Sequence, residues 1–165
     1  MKVLVIGGVA AGTKTAAKLK RMDRNADVRV ISRDRDISYA GCGLPYYVGG
    51  MIEEPGDLIV NTPEKYAALT GVEVQTGKEA VGLDAGAKAV TVKDVTTGEE
   101  EILSYDKLVI AVGASPALPP VKGMKLAGVF TMRKPEDAVS VRAFAQEKGV
   151  KKAVVVGAGF IGLEM

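Results

Sequence analysis

Residues 3–32 constrain the fold more than any other stretch of the chain. Val3-Leu4-Val5-Ile6 is a short, continuous apolar run, the pattern of a parallel strand covered on both faces. Gly7, Gly8 and Gly12 follow it, a helical stretch runs from about Ala11 to Met22, and Asp27–Ser32 reads as a second strand. Strand, glycine turn, helix and strand within about 30 residues make the length of a βαβ unit. The expected class is α/β, built on a parallel sheet.

Further along, a loop around Cys42 leads into a helix ending near Gly49-Gly50, and Asn61-Thr62-Pro63-Glu64 has the make-up of a helix start. From Val72 to Tyr105 the apolar period becomes 2. Val72-Glu73-Val74-Gln75 and Ala89-Val90-Thr91-Val92-Lys93 alternate, and Thr97-Gly98 supplies a turn before Glu101-Ile102-Leu103. This predicts a small antiparallel meander over the whole stretch, added to the parallel framework. Leu108–Val112 reads as another buried strand ending at Gly113, and Pro116, Pro119 and Pro120 interrupt regular structure. Pro135–Lys148 reads as a helix with Gly149 as its C-cap, and Ala153–Val156 as the last strand.

That last strand runs into Gly157-Ala158-Gly159-Phe160-Ile161-Gly162, a complete G-x-G-x-x-G before a helix start. The first glycine permits the tight turn, the second lets backbone approach a pyrophosphate, and the third lets helix pack close on strand. Phosphates then meet the positive helix N-terminus. The reading is a dinucleotide site, against the alternative of a merely tight turn. Gly7-Gly8-Val9-Ala10-Ala11-Gly12 is less regular, with Val9 at the middle glycine position. Where an acidic ribose partner is expected, about twenty residues on, stands Ser32, with Asp34 two positions further as a substitute. A nucleotide unit needs a full helix and another strand after its turn, whereas Met165 follows Gly162 by three residues, so the expectation is a truncated protein.

Composition removes several classes of function. With 22 Lys+Arg against 20 Asp+Glu the net charge is +2, no basis for nucleic-acid binding. One cysteine and no histidine exclude an intrachain disulfide, a histidine triad and a cysteine- or histidine-rich metal site. No apolar run approaches the ~20 residues of a membrane span. Lys2, Lys14, Lys18, Lys20 and Arg21 flank an apolar run too short for a secretory leader. A basic transit helix is the alternative to a buried strand feeding a helix, and the buried strand is preferred. The expected compartment is reducing, the cytoplasm, where Cys42 stays a free thiol.

Cys42 stands among Gly41, Gly43 and Pro45, where backbone can crowd a planar ring and N–H groups can face sulfur. A thiolate there is a nucleophile; the alternative is a small buried apolar residue. At 100° per residue, Lys14, Lys18 and Arg21 fall within about 60° of one another on the first helix. Thr15, Leu19 and Met22 fall on a separate, more apolar side. The stripe is a solvated face or a site for an anionic substrate.

Two fingerprints about 150 residues apart, with one cysteine soon after the first unit, resemble the FAD- and NAD(P)-dependent pyridine nucleotide-disulfide oxidoreductases. Ser38-Tyr39-Ala40-Gly41-Cys42-Gly43-Leu44-Pro45-Tyr46-Tyr47 is similar to the single-cysteine branch containing coenzyme A-disulfide reductases and NADH-dependent persulfide reductases. Tyr105–Gly113 resembles the family's second flavin-contact motif, with Val112 where Thr is common. The resemblance implies a Rossmann-like FAD-binding domain over residues 1–150 and the truncated start of a Rossmann-like NAD(P)-binding domain over 151–165. For cofactor binding it implies Gly7, Gly8, Val9, Ala10, Ala11, Gly12, Ser32, Arg33, Asp34, Ala80, Val81, Ala111 and Gly113. The same role falls to Gly157, Gly159, Phe160, Ile161, Gly162 and Glu164 in the second unit. Coenzyme A is expected at Lys14, Lys18, Arg21, Ser38 and Gly41.

The implied activity is reduction of coenzyme A disulfide or a persulfide. Cys42 attacks the substrate and keeps one half as a mixed disulfide, and electrons from NAD(P)H through FAD release it. Ser32 stands where the family usually has Glu, Cys42 has no partner thiol, and the histidine that oxidase and peroxidase relatives often carry is absent. The alternatives are an NADH oxidase or peroxidase cycling Cys42 through sulfenic acid, or a non-catalytic flavin-binding fragment. A homodimer is implied for the complete protein, and the 165-residue chain alone is expected to be inactive.

Overall fold

A computed structural model describes residues 1–165 of the chain. They form two compact units, Met1–Tyr39 with Ile59–Gly113 and Ala40–Leu58 with Ala114–Met165. Along the chain the elements are β1 (Lys2–Ile6), α1 (Ala10–Met22), β2 (Asp27–Ser32), α2 (Leu44–Val48) and α3 (Pro63–Thr70). Then come β3 (Glu73–Thr76), β4 (Lys78–Asp84), β5 (Ala89–Asp94), β6 (Glu100–Ser104), β7 (Lys107–Ile110), α4 (Pro135–Glu147) and α5 (Phe160–Glu164). Short 3-10 turns occupy Gly41–Gly43 and Pro55–Leu58.

In the first unit a parallel sheet has the order β3-β2-β1-β7, and β4-β5-β6 form an antiparallel sheet. Side chains alternate across β1. Val3 and Val5 join Val28 and Val30 of β2 against Ala16, Ala17 and Tyr66 on one face. Leu4 and Ile31 meet Val90 and Val92 of β5 on the other. The unit is thus three layers, helices on parallel sheet on meander. Each fully buried Val, Leu or Ile contributes about 1.5–3 kcal/mol relative to exposure, and these positions are 0–3% exposed. α3 begins as its sequence requires, with Thr62 Oγ1 accepting from the Lys65 N–H at 3.2 Å, and Pro63 follows the cap.

The second unit centres on Leu44, Tyr47, Leu58 and Ala138, with Val48, Ile52 and Met132 packed around them. α4 is capped by Asp137, whose Oδ2 accepts from the N–H groups of Arg133 at 2.8 Å and Lys134 at 3.0 Å.

Five expectations are corrected. β3 belongs to the parallel sheet, beside β2, so the meander starts at Lys78 and includes β4, which the sequence reading missed. The strand expected at Leu108–Val112 ends at Ile110 and is not buried: Ile110 is 61% and Val112 67% exposed, because β7 is an outer strand of the sheet. Ala153–Val156 is not a strand, since no neighbour hydrogen-bonds to it, and Val154 and Val156 are 89% and 92% exposed. On α1 the buried side is Gly12, Thr13, Ala16 and Ala17, with Leu19 partly buried, whereas Met22 is exposed. Lys148 caps α4, and Gly149 follows it at φ +58°.

Candidate functional site

The first glycine turn is built by close approach. A Cβ on Gly7 would lie 2.2 Å from Ala111 O, and one on Gly12 would lie 1.7 Å from Gly7 O. Gly7 has φ +112°, and its N–H donates to Ile31 O at 2.8 Å, tying the turn to the sheet. Val9, in place of the middle glycine, has a negative φ of −99°, so no left-handed backbone is asked of it. The substitution therefore leaves the turn intact. The N-terminus of α1 has no side-chain cap and no acid in its first turn, so its positive dipole end is not offset by a neighbouring carboxylate.

Of the other first-unit candidates, Ser32, Ser38 and Ala111 lie against this turn. The Ser38 N–H donates to Gly8 O at 3.0 Å, and the Ala111 N–H donates to Ile6 O at 2.8 Å. Ser32 is buried against Gly8: a Cβ on that glycine would lie 3.1 Å from Ser32 Cβ and 2.6 Å from Ile37 Cγ2. Arg33 pairs with Asp34 at 3.8 Å and with Glu79 at 3.6 Å. These pairs bring the end of β2 beside the start of β4, where Ala80 and Val81 follow. Ser38 has φ +49°, and its Oγ accepts from Asn61 Nδ2 at 3.3 Å.

Lys14, Lys18 and Arg21 are exposed along α1, opposite the buried Ala16 side. Beside them an open depression of about 360 Å³ is lined by Ala17, Lys20, Arg21, Arg24, Leu69 and Thr70. Arg24 and Thr70 escaped the sequence reading because they lie beyond the helix and on another element. Only a tertiary contact between α1 and α3 unites them.

Cys42 and Gly41 belong to the second unit, as does the second fingerprint. Cys42 is exposed, which removes the alternative of a buried apolar residue. Its turn is held by the Gly43 N–H donating to Ala40 O at 2.9 Å and the Ala40 N–H donating to Leu58 O at 2.7 Å. A Cβ on Gly43 would meet Leu58 Cδ2 at 3.2 Å and Ile52 Cδ1 at 3.3 Å, whereas Gly41 faces open space. The second glycine turn repeats the first. Gly157 has φ +114°, and a Cβ on Gly162 would lie 1.9 Å from Gly157 O and 3.4 Å from Val155 Cγ1. On Gly12 the matching distance to Val5 Cγ1 is also 3.4 Å. α5 begins at Phe160 and carries Glu164 at its end. No three His, Cys, Asp or Glu residues cluster as a metal site, and no helix is long and apolar enough to cross a membrane.

Residues 1–165 match the family described as pyridine nucleotide-disulphide oxidoreductase. The chain is 36% identical over 165 residues to the NADH oxidase of Methanocaldococcus jannaschii, covering 100% of this chain and 37% of that protein. It is 35% identical over 164 residues to the coenzyme A disulfide reductase of Staphylococcus haemolyticus, covering 99% of this chain and 37% of that protein. The structure of an NAD-dependent persulfide reductase from A. fulgidus matches with a TM-score of 0.92 at 41% identity, over 99% of this chain and 31% of that one. The chain thus spans little more than a third of the length of its curated relatives.

Proposed function

The chain belongs to the pyridine nucleotide-disulphide oxidoreductase family, and from that premise we propose that it carries the flavin-binding and thiol-bearing part of an NAD(P)H-dependent reductase of coenzyme A disulfide or a related persulfide. The observation that carries this reading is the exposed thiol of Cys42 in a chain with no second cysteine. Exchange with an external disulfide is then a redox chemistry open to it. The Cys42 thiolate attacks one substrate sulfur, the S–S bond breaks, and the other half leaves as a thiolate. The mixed disulfide at Cys42 then needs two electrons to part into the Cys42 thiolate and the second thiolate, and FAD, held at the first glycine turn, would be the group that passes them on from NAD(P)H.

The residues at the first glycine turn fit FAD, because the cradle of Gly7 and Gly12 and the uncapped start of α1 suit a pyrophosphate. We assign residues 1–150 to the FAD-binding domain and 151–165 to the start of the NAD(P)-binding domain, with Gly157, Gly159 and Gly162 facing NAD(P)H. Lys14, Lys18 and Arg21, with Ser38 and Gly41, are assigned to the phosphate-bearing substrate. A reducing compartment and a homodimer complete the reading.

The relative named NADH oxidase favours a second reading, in which Cys42 cycles through sulfenic acid. Consumption of NADH on adding coenzyme A disulfide under anaerobic conditions separates the two. In the complete flavoenzyme, Cys42→Ser is expected to abolish disulfide reduction while flavin stays bound. Undiminished turnover would overturn the assignment of Cys42.

A further inference from the structure

Arg142 lies four residues after Ala138 on α4, so the two share one helix face. Ala138 is fully buried with Leu44, Tyr47 and Leu58. Arg142 extends that contact. Its guanidinium carbon sits 4.6 Å from the centroid of the Tyr47 ring, within cation–π range. Its Nη1 donates to Tyr47 O at 3.2 Å, Ile52 O at 3.0 Å and Glu53 O at 3.0 Å. One guanidinium nitrogen thus gathers three carbonyls from the end of α2 and the irregular segment after it, one of its two N–H bonds being shared between two of them.

That segment is also a wall of the Cys42 turn. Ile52 Cδ1 lies 3.3 Å from the point where a Cβ on Gly43 would stand. The turn leads directly into α2, since the Leu44 N–H donates to Gly41 O. Displacing Ile52 therefore frees Gly43, and displacing Tyr47 frees the far end of the same short helix. Hydrogen bonds to a charged donor are stronger than neutral ones, and a planar guanidinium holds several acceptors at fixed angles, which an ammonium does not.

We propose that Arg142 is a positioning residue for Cys42: it clasps Tyr47, Ile52 and Glu53 so that the Gly41–Gly43 turn presents the thiol in one orientation. The inference rests on Cys42 being the exchanging thiol. Arg142 touches no reacting atom, and its effect passes through backbone geometry, where small misplacements carry large rate penalties.

The test compares Arg142→Met, which keeps an apolar stem without donors, with Arg142→Lys, which keeps a cation and one donor group. Amide hydrogen exchange reads the turn without substrate or flavin turnover. In Arg142→Met the Gly43 and Leu44 amides are expected to exchange at least tenfold faster, with the β1 and β2 amides unchanged and Arg142→Lys in between. In the flavin-loaded complete enzyme, Arg142→Met is expected to lower kcat for coenzyme A disulfide about tenfold, with KM for NAD(P)H and flavin content unchanged. Wild-type exchange at Gly43 and Leu44 in Arg142→Met overturns the clasp. So does Arg142→Lys matching wild type, because any cation on that stem would then suffice and the guanidinium fork would not be what holds the three carbonyls. Faster amide exchange with unaltered kcat overturns the positioning role. A wild-type enzyme that does not reduce disulfides refutes the proposed function instead, and the amide result still decides whether Arg142 holds the turn.

Discussion

Gly12→Ala tests the first glycine turn most directly. The added Cβ would lie 1.7 Å from Gly7 O and 2.9 Å from Gly7 C, so the obstacle is backbone. Gly7 cannot retreat freely, because its N–H is bonded to Ile31 O and Ala111 O crowds its other side. Overpacking of a filled interior costs about 1–3 kcal/mol, sometimes more, and a collision with pinned backbone belongs at the upper end, about 3 kcal/mol. For a chain of this size each kcal/mol lowers Tm by about 2–4 °C, which gives a fall of roughly 6–12 °C.

The neighbouring glycines grade the argument. At Gly8 the new methyl would meet Ile37 Cγ2 at 2.6 Å and Ser32 Cβ at 3.1 Å. Those atoms belong to side chains and the overlap is smaller than at Gly12, so Gly8→Ala is expected to cost about 1–2 kcal/mol. Gly41 has nothing within 4 Å, and Gly41→Ala is expected to stay within about 0.5 kcal/mol of wild type. Scanning calorimetry measures all three, and flavin absorbance per chain reports whether the turn still accepts a pyrophosphate. A Gly12→Ala transition within about 2 °C of wild type, or Gly8→Ala costing more than Gly12→Ala, would refute the close-approach reasoning.

Other outcomes follow from the same structure. Tyr66 is buried, which raises its pKa, and its hydroxyl donates to Thr13 O in the first turns of α1. Tyr66→Phe is expected to cost about 1 kcal/mol in urea unfolding, and no change would show that the bond is idle. The amide N–H groups of Thr97 and Thr96, and then Lys78, hold the Asp94 carboxyl below its usual range. A depressed carboxylate stabilises the fold above about pH 4 and loses that contribution as pH falls through its folded value. Asp94→Asn is therefore expected to flatten the acid limb of urea midpoint against pH, and a limb as steep as wild type would contradict this. Reversing charge at Lys18 and Arg21 together is expected to raise KM for coenzyme A disulfide about tenfold, equivalent to about 1.4 kcal/mol, with little change for a small persulfide. Equal effects on both substrates would make the stripe a solvated face.

The parts of the fold legible in the sequence were those with a pattern that only one environment explains. β1 is a run of four apolar residues because it is central and covered on both faces, and β2 was readable to its ends. β3 misled because an edge strand, partly exposed, alternates like a strand of an antiparallel sheet. β4 was missed because Lys78-Glu79-Ala80-Val81-Gly82 follows no period, and its register shifts between Ala80 and Gly82. Cys42 was legible because it has no competitor in the chain. Arg142 was not, since a helix arginine has no sequence sign that its donors meet carbonyls about ninety residues away.

The second fingerprint separates what is local from what is not. Gly157–Gly162 reproduces the φ angle and the close approach of Gly7–Gly12, although Ala153–Val156 pairs with nothing. A glycine turn thus takes its shape from its own residues, whereas a strand exists only through the hydrogen bonds of a neighbour. The physical consequence is a difference in stiffness between two turns of equal shape. Gly157 lacks the tie that Gly7 has to Ile31 O, and the residues leading into it are exposed. Gly162→Ala is therefore expected to cost under about 1 kcal/mol in this chain, despite a Cβ placed 1.9 Å from Gly157 O. If calorimetry showed Gly162→Ala to be as damaging as Gly12→Ala, the turn itself would carry the rigidity here assigned to the sheet behind it.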